Sequence, residues 1–222
     1  MKVITIIPAR ANSKRLKHKN TLNLDGIPLI SHSINYAKKN QQITNHIYVS
    51  TDSAAVRDIA LARGVKTISR PTDLASDTAS TVSVLKHALQ RVNEKYDVVI
   101  LLQPTNPLRP KNLLKDAFAM FKKANSDSLM TVSTNHKKLG KISNGRFIPY
   151  TYKMGQRSQD IEPLYYENGL LYISKVGLIL KDTILGKKNT PIIIDHPYAN
   201  VDIDTAEDFK FAQYILKNYP NE

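Results

Sequence analysis

Asp97 leads into Val98-Val99-Ile100-Leu101-Leu102, an apolar run with no polar residue at alternate positions. A strand of this kind needs cover on both faces, which suits the centre of a parallel sheet with helices above and below. The rest of the chain supplies those layers. Residues 3–7 and 46–50 read as further buried strands, and 65–68 as a short one. Between them, apolar residues recur at helical spacing over 29–38, 54–62, 81–91 and 111–123. Strands follow near 128–133, 169–174 and 191–194. A short helix is expected at 175–180, and a last one at 206–217 opened by Asp204 or Thr205. This rhythm predicts an α/β fold, a Rossmann-like, mostly parallel sheet flanked by helices.

From about 136 to 167 the pattern changes to short alternating pieces around Gly145 and Pro149, with Tyr150, Tyr152, Tyr165 and Tyr166 close together. This reads as a small antiparallel excursion. Its aromatic residues suit a subunit interface, and they suit ordinary strands equally well. At 222 residues a single domain, 1–222, carrying that excursion is expected.

After the first strand and Pro8 come Arg10, Lys14, Arg15, Lys17 and Lys19, interleaved with Ser13 and Asn20. In an open α/β sheet, ligands bind outside the carboxyl ends of the strands. The cluster therefore reads either as a cradle for the phosphates of a nucleoside triphosphate or as a solvated basic loop. It has no glycine, so it matches neither GxxxxGK[ST] nor GxGxxG. Arg10 and Lys14 stand nearest the strand end, with Lys19 next. Arg15 and Lys17 fit a solvated position.

Charge is uneven along the chain. The formal net charge is +13, and residues 1–40 hold eight Lys or Arg against one acid, Asp25. Residues 195–222 hold six acids against Lys210 and Lys217. A nucleic-acid binder is expected to spread its cations over a broad face. A basic loop opposite a later carboxylate pair suits a metal–phosphate site better. That pair is Asp202-Ile203-Asp204: residues two apart in an extended segment point the same way. Both carboxylates can face one Mg²⁺, with Ile203 turned to the core, or Asp204 can simply cap the last helix.

Three polar stretches complete the inventory. Arg70, Asp77, Thr78, Ser80 and Thr81 belong to a long loop that can line a nucleotide or sugar pocket or can bond to itself. Gln103, Thr105 and Asn106 sit in a proline-stiffened loop after the most apolar strand, a good mount for polar groups. Asn168-Gly169 reads as a turn that places Asn168 against a sugar hydroxyl. The six histidines are scattered without metal-binding spacing. There is no cysteine, which excludes disulfides and Cys-ligated zinc. No apolar stretch approaches the ~20 residues of a spanning helix. The opening residues lack a signal-peptide layout, so a cytoplasmic location is expected.

Taken together, several blocks resemble the acylneuraminate cytidylyltransferases, enzymes that activate sialic acid and related nine-carbon sugars as CMP esters. They are Ile7-Pro8-Ala9-Arg10, Ser13-Lys14-Arg15, Lys19-Asn20 and Gly26-Ile27-Pro28-Leu29, then Arg70-Pro71 with 74–80. Leu102-Gln103-Pro104-Thr105, Pro107-Leu108-Arg109, Asn168-Gly169 and Asp202-Ile203-Asp204-Thr205 follow in order. The chain departs from the pattern at Ala11-Asn12, where many members have Gly-Gly. It departs again at Leu16-Lys17-His18, where many have a proline. The resemblance is weakest over 136–166.

The resemblance implies a nucleotide-diphospho-sugar-transferase-type fold and a Mg²⁺-dependent transfer of CMP from CTP to the anomeric hydroxyl of a nonulosonic acid, with release of pyrophosphate. It places Arg10, Ser13, Lys14, Lys19, Asn20, Arg70 and Asp77 at the nucleotide. Gln103 falls at the sugar and Asp202 and Asp204 at the metal; Thr105, from the Gln103 loop, and Asn168, from its turn, are expected on the sugar side as well. Arg10, Lys14 and Asp202 are expected to carry the chemistry. A homodimer formed through the 136–167 excursion is implied, with neither nucleic acid nor membrane insertion. The nearest alternative is a transferase of the same fold acting on 3-deoxy-manno-octulosonate, whose enzymes typically have Ser-Thr-Arg in the opening loop. A non-catalytic basic nucleic-acid-binding protein is the remote one.

Overall fold

The computed structural model of the chain describes residues 1–11, 13–44 and 46–219. The first half alternates as its apolar spacing requires: β1 (Val3–Pro8), the small strands β2 (Asn23–Leu24) and β3 (Ile27–Pro28), α1 (Leu29–Lys39), β4 (His46–Thr51), α2 (Ala54–Ala62), β5 (Lys66–Ser69), α3 (Thr81–Arg91) and β6 (Val98–Leu101). The second half adds α4 (Leu113–Lys123), β7 (Ser128–Asn135), β8 (Gly140–Ser143), β9 (Arg146–Pro149), β10 (Leu164–Lys175), α5 (Val176–Ile179), β11 (Asn189–Ile193) and α6 (Ala206–Asn218). Helix starts are fixed by side chains. Ser53 accepts from the Val56 amide, Ser80 from the Ser83 amide and Thr205 from the Asp208 amide.

Seven strands form one sheet in the order β11-β7-β10-β6-β1-β4-β5. β1 runs parallel to both β4 and β6, β4 to β5, and β7 to β11, while β10 is antiparallel to β6 and β7. Side chains alternate across the pleat. Val3 and Ile7 join Ile30, Ile34, Leu114 and Phe118 on one face. Ile4 and Ile6 join Leu85, Ala88 and Ile179 on the other. A third apolar cluster ties Leu24 and Leu29 to Tyr198, Ile203 and Ile215.

Two features place the site. The chain steps from β1 outward to β4 and β5, then returns to β6 on the opposite side of β1. The crevice at the carboxyl ends of β1 and β6 is thus the point where strand order reverses, the usual ligand position in such sheets. In addition, β10 begins at Leu164 and is broken by a register shift between Glu167 and Tyr172. Asn168-Gly169 is therefore a bulge inside a strand rather than a turn before one.

The excursion contains the antiparallel hairpin expected of it. β8 and β9 pair with each other alone, and Asn144 (φ 50) and Gly145 (φ 71) form their two-residue turn. Ile142, Phe147, Ile148 and Tyr150 on and beside this hairpin are exposed. Among the described residues no helix is long and apolar enough to cross a membrane.

Candidate active site

A cavity of about 650 Å³ opens at the β1–β6 crevice. Arg10, Ser13, Lys14, Arg15, Lys19 and Asn20 line it from the loop after β1, Arg70 and Asp77 from the loop after β5, and Gln103 and Thr105 from the loop after β6. Asp204 closes it from the segment before α6. Segments as far apart in sequence as Arg10 and Asp204 thus meet in one basic, polar chamber.

The loop after β1 is held by the end of β4 and by a bond within itself. The Ala9 amide bonds the Ser50 carbonyl at 2.9 Å, and the Ala11 amide donates to Asp52 Oδ1 at 2.7 Å. Asn20, buried, donates from Nδ2 to the Arg10 carbonyl at 2.9 Å and closes the loop on itself. The chain passes through His18 at φ 54 into a 3-10 turn, Lys19–Thr21. The departure at Ala11-Asn12 falls partly on Asn12, which lies outside the described residues.

Four loop cations pair with two acids. Asp77 accepts from Arg10 Nη1 at 2.7 Å and from Lys14 Nζ at 2.6 Å. Hydrogen bonds from Lys14 and Arg10 hold its carboxyl below the usual carboxylate range. Asp204 accepts from Lys19 Nζ at 2.8 Å and also from Arg15. Lys19 is buried and donates a second bond, 2.7 Å, to the Ile203 carbonyl. Arg15, which sequence reasoning leaves in solvent, is therefore part of the site. Nothing local signals its role, because its partner lies 189 residues downstream.

Arg70 is buried at the end of β5, where its Nη2 donates to the Ser50 carbonyl at 2.6 Å and its Nε to Ser50 Oγ at 3.3 Å. Burial brings its pKa down to about 10, which still leaves it charged at neutral pH. The loop after β6 is positioned from below. Arg109, fully buried, donates to the carbonyls of Gln103 (2.8 Å) and Leu170 (2.6 Å) and to Ser33 Oγ (3.1 Å). Asn106 Nδ2 binds the carbonyls of Asn168 (3.0 Å) and Val201 (3.1 Å), and the Ile203 amide donates to the Thr105 carbonyl at 2.8 Å. These bonds tie the Gln103 loop to the Asp202–Asp204 segment.

Asn168 does not line the cavity. It is buried, with Nδ2 donating to Ser133 Oγ at 3.0 Å and Oδ1 accepting from the Leu170 amide at 3.3 Å. It shapes the β10 bulge, behind which Tyr172 Oη donates to Glu167 Oε2 at 2.9 Å. Gln103 also reaches a neighbouring cleft lined by Glu167 and Tyr172, two residues that sequence reading passes over.

The carboxylate pair suits a hard cation. Ile203 is fully buried, so the two flanking aspartates turn away from the core. Thr205, reciprocated by Asp208, caps α6 and leaves the Asp204 carboxylate for the cavity. Burial and then the neighbouring Asp204 push the Asp202 carboxyl up, against a hydrogen bond to Thr105. An added cation would relieve that strain. Among the described residues no three His, Asp or Glu side chains gather as a metal cage. Mg²⁺ takes one or two carboxylates and completes its shell with water and phosphate oxygens, so Asp202 and Asp204 are the residues that could hold it. Asp204 lines the cavity, already paired with Lys19 and Arg15, and Asp202 is not among the lining residues.

Residues 4–218 match the family model described as cytidylyltransferase. The chain belongs to the cytidylyltransferase family. It is 35% identical to N-acylneuraminate cytidylyltransferase of Streptococcus agalactiae over its whole length, and spans 56% of that relative. The chain thus covers little more than half the length of this relative. With the pseudaminic acid cytidylyltransferase of Campylobacter jejuni it shares 31% identity over 98% of this chain and 97% of the relative. Among solved structures, a CMP:2-keto-3-deoxy-manno-octonic acid synthetase complexed with CTP superposes with a TM-score of 0.70. That superposition covers 98% of this chain and 99% of the other at 16% identity, and so shows a shared fold.

Proposed function

We propose that the chain transfers CMP from CTP to the anomeric hydroxyl of a nonulosonic acid and releases pyrophosphate. The observation that carries this reading is the cavity at the β1–β6 crevice, where Arg10, Lys14, Arg15, Lys19 and Arg70 converge opposite Asp204. A recessed basic cavity fits a small polyanion, whereas a nucleic acid needs a broad basic face. The full-length relatives named for nine-carbon acids favour a nonulosonic acid over the octulosonate alternative, whose support is a likeness of fold.

In this reading the sugar hydroxyl attacks the α-phosphorus and pyrophosphate leaves in line. Catalysis then rests on position and charge. Arg10 and Lys14 take the charge of the triphosphate and of the departing pyrophosphate. Arg70 and Asn20 fix the walls against which the nucleotide lies, with Ser13 adding a hydroxyl. Gln103 and Thr105, held by Arg109 and Asn106, face the acceptor side, and Asn168 supports them from the bulge. Mg²⁺ bound at Asp202 and Asp204 would neutralise phosphate oxygens. Lys19 keeps Asp204 in place.

A homodimer through the 136–167 excursion belongs to the same proposal. Its support is the exposed β8–β9 hairpin, where the cross-strand pair Ile142 and Phe147 on one face and Ile148 on the other lack cover. A cytoplasmic location is the matching expectation. The test is pyrophosphate release from CTP and Mg²⁺ with a panel of sialic, legionaminic and pseudaminic acids and 3-deoxy-manno-octulosonate. Release with at least one nonulosonic acid, above that with the octulosonate, is expected. Preference for the octulosonate would replace the proposed substrate class.

A further inference from the structure

We infer that Asp77 is an exchangeable internal anion, a carboxylate that occupies the phosphate cradle while it is empty and yields it to the incoming triphosphate. The inference rests on the nucleotide reading of the cavity and assigns Asp77 a role opposite to that of a nucleotide contact.

Its two oxygens take different cations, Arg10 through Oδ1 and Lys14 through Oδ2. Asp77 therefore bridges the two groups that a phosphate would bridge with two of its own oxygens. An ionised carboxylate has no hydrogen to donate to a phosphate oxygen, and its charge repels one. Phosphate and Asp77 consequently compete for the same pair of cations. Asp204 binds Arg15 and Lys19 in a similar way, with one difference. Lys19 is buried and also fixed to the Ile203 carbonyl, whereas the Lys14 side chain is 83% exposed. An exposed ion pair contributes little to stability and is readily given up.

The loop that carries Asp77 is built for exchange. Arg70 anchors one end to Ser50, and Ser80 anchors the other as the cap of α3. Between them, the bonds are local: Leu74 amide to Pro71 carbonyl, Ser76 Oγ to Asp73 carbonyl, and Ala79 amide to Ser76 carbonyl. Among the described residues, the hydrogen bonds and ion pairs that join 71–79 to the rest of the chain are those of Asp77. Once its carboxylate is displaced, the loop is released from the cradle.

The consequence has a sign that separates it from a contact role. Asp77→Asn keeps the side chain's size and removes its charge, so the competing state weakens. Calorimetric titration with inorganic pyrophosphate, without metal, nucleobase or sugar, reads the cradle directly. If the closed pair holds nine-tenths of the molecules, the substitution should tighten pyrophosphate binding by about tenfold. It should also lower KM for CTP, and Asp77→Glu should bind like the wild type. Unchanged or weaker pyrophosphate binding by Asp77→Asn would overturn the inference, since both a purely structural aspartate and a ligand contact predict that result. The two layers of the account fail differently. Wild-type turnover of CTP without the gain in affinity sinks the exchange alone. A gain in affinity in a protein that turns over no CTP sinks the transfer reading and leaves the exchange standing.

Discussion

Gly169 lies against Asn106 so closely that a β-carbon on it would sit 2.4 Å from Asn106 Oδ1, and its φ of +75° is one that other residues rarely adopt. This contact seats the β10 bulge on the loop that presents Gln103 and Thr105. Gly169→Ala is therefore expected to destabilise the fold by about 2–4 kcal/mol, from backbone strain together with the displaced Asn106 amide. Chemical denaturation measures the loss. Acceptor KM should rise alongside it, because Asn106 also holds the Val201 carbonyl next to Asp202.

Lys19 is the buried pivot between the loop after β1 and the aspartate segment. Lys19→Met removes bonds to the Ile203 carbonyl and to Asp204 and leaves both acceptors short of a partner. The expected cost is about 1–3 kcal/mol in urea unfolding. Arg15→Ala, at an exposed pair with the same aspartate, should cost less than about 1 kcal/mol. Equal losses would mean that burial does not set the difference.

Asp202→Asn retains shape and removes one charge from the carboxylate pair. Turnover should drop roughly 10²–10³-fold, the usual scale for a lost electrostatic partner in a transition state. The Mg²⁺ concentration for half-maximal rate should rise in parallel. Near-normal turnover at ordinary Mg²⁺ would remove Asp202 from the metal site.

His32 gives the fold an acid sensitivity. Its Nε2 donates to the Leu24 carbonyl at 2.8 Å, and burial, reinforced by the Arg109 charge, pulls its pKa below 6.5 against opposing effects of that bond and of Asp25. The unfolded chain therefore binds a proton on His32 at a higher pH than the folded chain does. Stability from this residue is full above pH 6.5 and declines as the pH falls below it, until the folded form also protonates. His32→Gln keeps a donor for Leu24 and should flatten the stability profile on the acid side of neutrality. A profile with unchanged slope would exclude His32 as the cause.

How much of this was legible in the sequence depended on how local the cause was. α2 and α3 occupy 54–62 and 81–91, the spans marked by their apolar spacing, because packing period and capping residues are local signals. The loop after β1 was visible as five cations after a buried strand. Other roles depend on distant partners. Arg15 acquires its place from Asp204, and Arg109 from Ser33, Gln103 and Leu170. A sequence does not distinguish a cation that builds the core from one that meets a ligand. Asn168-Gly169 carries the composition of a turn, and the pairing of β10 with β7 on both sides makes it a bulge. At Asp204 the cap alternative falls away, because Thr205 caps α6 and the Asp204 carboxylate pairs with Lys19 and Arg15 instead.

The central claim is the transfer of a cytidylyl group to a nonulosonic acid, and phosphorus NMR of the reaction mixture tests it most directly. With CTP, Mg²⁺ and an accepted nonulosonic acid, the triphosphate signals should be replaced by a single phosphodiester and pyrophosphate in equal amounts, and only when the sugar acid is present. Unaltered CTP across the panel of nonulosonic acids, or pyrophosphate released with CMP and no phosphodiester, would contradict the account.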